Sequence, residues 1–271
     1  MTELPLIGDS AKGILQNEGE ALSRDSKFRI WTEIAVVFSL SLGASAAYSI
    51  VSLIAKLTAP TGLAGQTSKL NQSLADREWL DFTYQVLGFA FGLAPVALVL
   101  FLLWSNGQKP FEALGLNFKK FGSDSARALI ISAAIGVPGI ALYLLARALG
   151  LSSKVEPAAL SQTWWAIPVL LLAALKAALL EEVIVVGYLQ NRLGALSLAD
   201  TKIALISAAV RGSYHLYQGF AGLIGNFVMG LVFAKAHQRF GRVMPLVLAH
   251  FIMDAFVFVG YSLFSSLISL P

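Results

Sequence analysis

The chain has 271 residues, of which 56% are hydrophobic and only 13% charged, with a formal net charge of +4. A soluble domain carries about a quarter charged residues, so this composition excludes a water-coated globular protein and leaves a polytopic membrane bundle. The chain has no Cys, which excludes disulfides, thiolate metal sites and thiol nucleophiles; Lys and Arg are scattered singly, without the basic tract that nucleic acid would need.

Residues 1–29 read as a polar cytoplasmic tail. A helical span needs about 20 mainly apolar residues, and the sequence predicts about seven of them, within a range of about six to eight, at 34–55, 82–104, 128–149, 163–189, 203–218, 220–236 and 244–270. The expected fold class is all-α: N-terminal transmembrane helices over 30–159, then a transmembrane core over 160–271. The segments 203–218 and 220–236, parted only by Gly219, read as a tight hairpin. Basic residues crowd one set of connecting segments, among them Lys119, Lys120, Arg192, Arg239 and Arg242. By the positive-inside rule this places the N-terminus in the cytoplasm and the C-terminus outside. The expected location is a bacterial cell membrane, as a multi-pass protein.

Ionisable residues inside spans are costly and mark function by default. They are Lys176, Glu181, Glu182, Arg211, His215, His250 and Asp254, all within the spans at 163–189, 203–218 and 244–270. With about 1.5 Å of rise per residue, Glu181, His215, His250 and Asp254 fall in one slab around mid-membrane and can converge on one site. His250 and Asp254 are four residues apart and share a helical face, as do Arg211 and His215. Glu181 and Glu182 are about 100° apart around the axis, so one is expected to face the site and the other a structural partner. His237 reads as a solvated residue at the inner surface and Asn226 as a bond between helices. Lys176 has no partner that the pattern names.

No G-x-S-x-G elbow and no H-E-x-x-H motif occurs, which argues against a serine hydrolase and a zincin. Two routes remain. Glu181, His215, His250 and Asp254 could hold a divalent metal such as zinc. Alternatively, without a cofactor, a carboxylate in a water-poor site can act as general base on water, with His and a protonated acid stabilising an oxyanion. The metal-free route is favoured because the ligands offer no compact spacing.

The runs EEVIVVGYLQNRL, RGSYHLYQG and HFIMD resemble the three motifs of the CAAX-processing and bacteriocin-immunity (CPBP, or Abi) intramembrane proteases, E-E-x-x-x-R, F-x-x-x-H and H-x-x-x-N/D. The likeness extends over about 160–259. It implies an endopeptidase that hydrolyses a peptide bond in a membrane-associated peptide or protein. Glu181 would be the general base, His215 would position the water, His250 and Asp254 would form the oxyanion side, and Glu182 would be structural. Two positions depart from the pattern: Val186 stands where Arg is expected, and Arg211 where Phe is expected. The cation lost from one span is expected to return on the next, with Arg211 pairing across helices to Glu182. The competing readings are a catalytically inactive scaffold or immunity-type binding protein, for which the missing Arg speaks, and a proton-coupled transporter, which would show an inverted repeat or a broken helix pair.

Overall fold

A computed structural model describes residues 22–160 and 163–265. Most of the expected tail and the last residues of the final predicted span lie outside them. The helices are α1 Arg24–Ser39, α2 Leu42–Thr58, α3 Glu78–Gly92, α4 Ala94–Ser105, the short α5 Pro110–Ala113, α6 Phe121–Ala148, α7 Ala166–Glu181, α8 Leu189–Ala195, α9 Asp200–Ser213, α10 Phe220–Phe240 and α11 Met244–Phe264. A π-helical segment, Glu182–Tyr188, joins α7 to α8. Two three-residue strands, β1 Thr67–Lys69 and β2 Lys154–Glu156, pair in parallel at one end of the bundle. The all-α transmembrane bundle expected from composition is the fold observed.

Four helical stretches are long and apolar enough to cross a membrane, Glu78–Ser105, Phe118–Ala148, Phe220–Phe240 and Met244–Phe264. A fifth is possible if α1 and α2 count as one span, bent by 55°. The expected span at 34–55 is thus two helices: the α1 ladder stops at Ser39, and α2 restarts at Leu42. The predicted span at 203–218 also needs correction, because α9 ends at Ser213 and residues 214–219 form a turn. The predicted span at 163–189 is interrupted by the π segment. These two elements form much of the protein interior and carry five of the seven ionisable residues, so hydropathy and length describe them least well. The bend between α1 and α2 is a broken pair of the kind transporters use, but it carries none of the site's ionisable residues.

The π segment is the hub. Val183, Ile184, Val185, Val186 and Tyr188 are completely buried, and the segment contacts α4, α9, α10 and α11. Four consecutive β-branched residues crowd the preceding turn, which favours a widened helix over a regular one; π turns of this kind concentrate at functional sites. The Ser207 hydroxyl on α9 donates to the Val185 carbonyl at 3.0 Å, supplying a partner from the neighbouring helix. Around this hub α9 and α10 form an antiparallel hairpin, and α11 packs on α6 and α7. The hairpin is close because Gly230 has no side chain: a Cβ there would lie 2.9 Å from Ala208 Cα and 3.2 Å from Arg211 Cβ.

Much of the outer half of α6 is exposed, with Val137 69% exposed, as a lipid-solvated helix requires, while its other side lines a cavity. We call the end carrying Arg192 and Arg242 inner and the opposite end outer. At the inner end Arg242 donates from Nε and Nη2 to both oxygens of Asp124, at 3.0 and 2.7 Å for the closest pairs, and from Nη2 to the Asn117 carbonyl at 2.8 Å. At the outer end Ser68 and Ser153 share a hydroxyl bond of 2.7 Å, and Lys56 donates to Ser68 and to the Tyr217 carbonyl. Ser152 and the Ser153 backbone N–H both donate to the Gln218 carbonyl, at 2.9 and 3.1 Å. This buried lattice of serines and one lysine fixes the turn that follows α9, where Gly219 supplies φ of +102° for the reversal into α10.

Candidate active site

Glu181, His215, His250 and Asp254 line a single cavity of about 940 Å³. Three different parts of the fold deliver them: Glu181 ends α7, His215 sits in the turn after α9, and His250 and Asp254 lie on α11. The convergence expected from depth alone is what the fold produces. Glu182 and Arg211 do not line the cavity; both are completely buried behind it.

Glu182 is the junction of this second layer. Its Oε1 accepts from Arg211 Nη2 and lies 2.6 Å from His250 Nδ1. The same Arg211 nitrogen is 4.0 Å from Glu181 Oε2, and the guanidinium sits 5.1 Å from the Phe233 ring centroid. Phe233 packs in one cluster with Val186. The cross-helix replacement expected from the two motif departures is therefore present: Val186 takes an apolar place, and Arg211 reaches Glu182 from the next helix.

As expected, Glu181 faces the cavity and Glu182 a structural partner, Arg211, but the two carboxylates stay closer together than an α-helical 100° step suggests. Carboxylate and imidazole atoms of Glu181, Glu182 and His250 all lie within 4.8 Å of one another. The residues straddle the junction of α7 with the π segment, and a wider turn sets consecutive side chains closer together around the axis than an α-helix does. Arg211 then bridges the two carboxylates, so neither faces the other uncompensated.

Tyr214 is a site residue that hydropathy and charge did not single out. Its hydroxyl donates to Glu181 Oε2 at 2.9 Å, and its ring stands 4.7 Å from the His215 ring. The signal was its place immediately before His215 in a turn rather than in a helix. Among the described residues the other Glu181 oxygen has no hydrogen-bond partner. His215 and Arg211 do not share a helical face in the way expected, yet they remain tied: His215 Nδ1 is 3.0 Å from the Arg211 carbonyl. A carbonyl can only accept, so Nδ1 carries the proton, and in the neutral ring Nε2 is left as an acceptor.

His250 lies between two carboxylates, Glu182 at Nδ1 and Asp254 at 3.4 Å from Nε2. A carboxylate oxygen accepts, so Nδ1 is the nitrogen that donates to Glu182. Asn226 does not bond between helices; it donates to the Gly222 carbonyl of its own helix. His237 is partly buried rather than fully solvated.

The lack of compact ligand spacing expected from the sequence is corrected: Glu181, Glu182 and His250 form a compact buried group that could hold a metal ion. The compact group contains Glu182 in place of the expected His215 and Asp254. Its Oε1 is already shared by Arg211 and His250, and a metal ion there would stand beside a guanidinium.

The fold and these residues define a class: a helical membrane bundle with a buried acid–histidine site opening onto an apolar cavity. Residues 163–256 match the family described as Type II CAAX prenyl endopeptidase Rce1-like. The matched segment is about a third of the chain and contains all three motifs. The match supports a CAAX-type membrane protease and bears out the resemblance read from the motifs. No curated protein matches the chain, and no solved structure does.

Proposed function

We propose that the chain is an intramembrane endopeptidase in which Glu181 activates water, and that it acts on a membrane-associated peptide or protein. The observation that carries this reading is the division of the ionisable residues: four line one cavity, and the charge pair that supports them lies behind it. In this reading Tyr214 holds one Glu181 oxygen and leaves the other for water. Glu181 takes the proton of the attacking water and returns it to the leaving amine. His215, with Nδ1 spent on the Arg211 carbonyl, offers Nε2 to orient that water. His250 Nε2 is 3.4 Å from Asp254, too long for a strong hydrogen bond, so its N–H can turn toward the developing oxyanion while Asp254 and Glu182 balance the ring's charge.

The missing Arg at position 186 was the reason to expect an inactive member. Arg211 set against Glu182 supports the active reading, because the cation is present on the neighbouring helix. Glu181→Gln is expected to lower cleavage of a membrane peptide by about 10²–10⁴-fold, the usual contribution of a positioned base, without altering expression or the thermal unfolding midpoint. Proteomics of membranes carrying either form would supply the substrate, and undiminished cleavage by the variant would sink the proposal.

A further inference from the structure

The inner connection between α4 and α6 carries a pattern that the reaction does not use. Residues 109–121 read KPFEALGLNFKKF, three Lys and three Phe with a single acid. Phe111, Phe118 and Phe121 are exposed, and so are Lys109, Lys119 and Lys120. Glu112 ties the two ends of the segment together, 3.9 Å from Lys109 Nζ and 3.2 Å from Lys119 Nζ. Among the described residues Lys120 has no ion pair. The segment joins two stretches long and apolar enough to cross a membrane, Glu78–Ser105 and Phe118–Ala148, which sets it at the bilayer surface. Its end is the one that the positive-inside rule assigns to the cytoplasm, where the leaflet is anionic.

The other face of the same segment bears on the interior. Leu114 is 1% exposed and belongs to the main apolar cluster, and its carbonyl accepts from the Val243 N–H at 2.8 Å. Gly115, with φ of +59°, lets the backbone rest on Arg242: a Cβ there would lie 2.7 Å from Arg242 Cα. Gly187 in the π segment leaves room for Leu114 in turn, since a Cβ there would lie 2.8 Å from Leu114 Cδ2. Residues 114–117 are thus fastened to the start of α11, the helix that carries His250 and Asp254.

We propose that residues 109–121 form a docking surface for anionic phospholipid headgroups, and that the docked bilayer steadies the first turn of α11. Phe rings gain by entering the boundary between headgroups and acyl chains, and Lys ammonium groups above them meet the phosphates. Three exposed Phe on a purely water-solvated loop would gain nothing of the kind. Because Leu114 and Gly115 are the inward side of this patch, holding it at the membrane limits the freedom of the residues they touch.

The test places a fluorophore on Gly122→Cys, where a Cβ meets no atom within 4 Å, in a chain that has no native Cys. Energy transfer to acyl-labelled phosphatidylglycerol or phosphatidylcholine is read with the full chain in nanodiscs. Phosphatidylglycerol is expected to be enriched beside the wild-type protein by about fivefold for each lysine engaged, and to lose most of that enrichment at high salt. Lys120→Gln, which leaves both Glu112 pairs in place, should remove part of it. Adding Lys109→Gln and Lys119→Gln should remove the rest without lowering the unfolding midpoint. Hydrogen exchange of residues 243–247 reads the second half of the proposal: phosphatidylglycerol should slow it by about fivefold in the wild type and leave the triple variant unchanged. Equal transfer to both lipids in the wild type would refute lipid docking and leave the patch to an acidic protein surface. Enrichment that survives the triple substitution would refute the role of these lysines, and enrichment with unaltered exchange would refute the hold on α11. Neither readout involves peptide cleavage, so both stand apart from the protease reading.

Discussion

Two buried arginine–carboxylate pairs hold this protein together, and they are built differently. At the inner end, Arg242 meets both oxygens of Asp124 and adds the Asn117 carbonyl. Among the described residues no buried side-chain atom of that pair lacks a partner. In the site, Arg211 Nε and Nη1 and Glu182 Oε2 are buried with none. A saturated pair is a fastener: its geometry is over-determined and its charge is spent. The Arg211–Glu182 pair keeps unspent hydrogen-bonding capacity beside Glu181, at a cost to stability that an efficient fastener would avoid.

The comparison can be broken at several points. Arg211→Leu strands Glu182 and should cost about 3–5 kcal/mol, seen as a sharply lowered unfolding midpoint in detergent together with loss of cleavage. Introducing Val186→Arg into that variant should recover part of both, because it returns the cation to the neighbouring position; no recovery would refute the idea that the two sites exchange one charge. Arg242→Leu should cost about 3 kcal/mol by the same reasoning, yet cleavage per folded molecule should hold at the wild-type rate. If that rate falls with stability, the inner pair is not merely a fastener. The smallest effect is expected at the outer lattice: Ser153→Ala removes one buried hydroxyl and should cost about 1 kcal/mol, measurable as faster proteolytic nicking near the turn at His215.

The ionisable residues were easy to find because a charge within an apolar run has few reasons to be there. Their depth followed from helical rise, and the Arg211–Glu182 pair followed from a cation missing at one motif position and surplus at another. The local backbone was harder to read. A π turn and a helix ending at Ser213 leave the mean hydropathy of a window almost unchanged. Tyr214 and the serines of the outer lattice were invisible for a related reason: hydroxyl groups are tolerated in apolar helices, so their presence raises no contradiction that needs a function to resolve it. Lys176 was conspicuous but had no partner to name, and the fold shows a cavity at that position instead of a counter-ion.

The π segment also has an evolutionary reading. A widened turn is equivalent to one residue inserted into a regular helix, and it puts the two halves of one membrane crossing out of phase. The half before it can change which side chains face the cavity, as at Lys176 and Glu181, without rotating the half after it, where Tyr188 and Leu189 belong to the main apolar cluster. Cavity lining and anchorage thus share a single helix yet can drift separately, and losing one residue between positions 182 and 188 would couple them again.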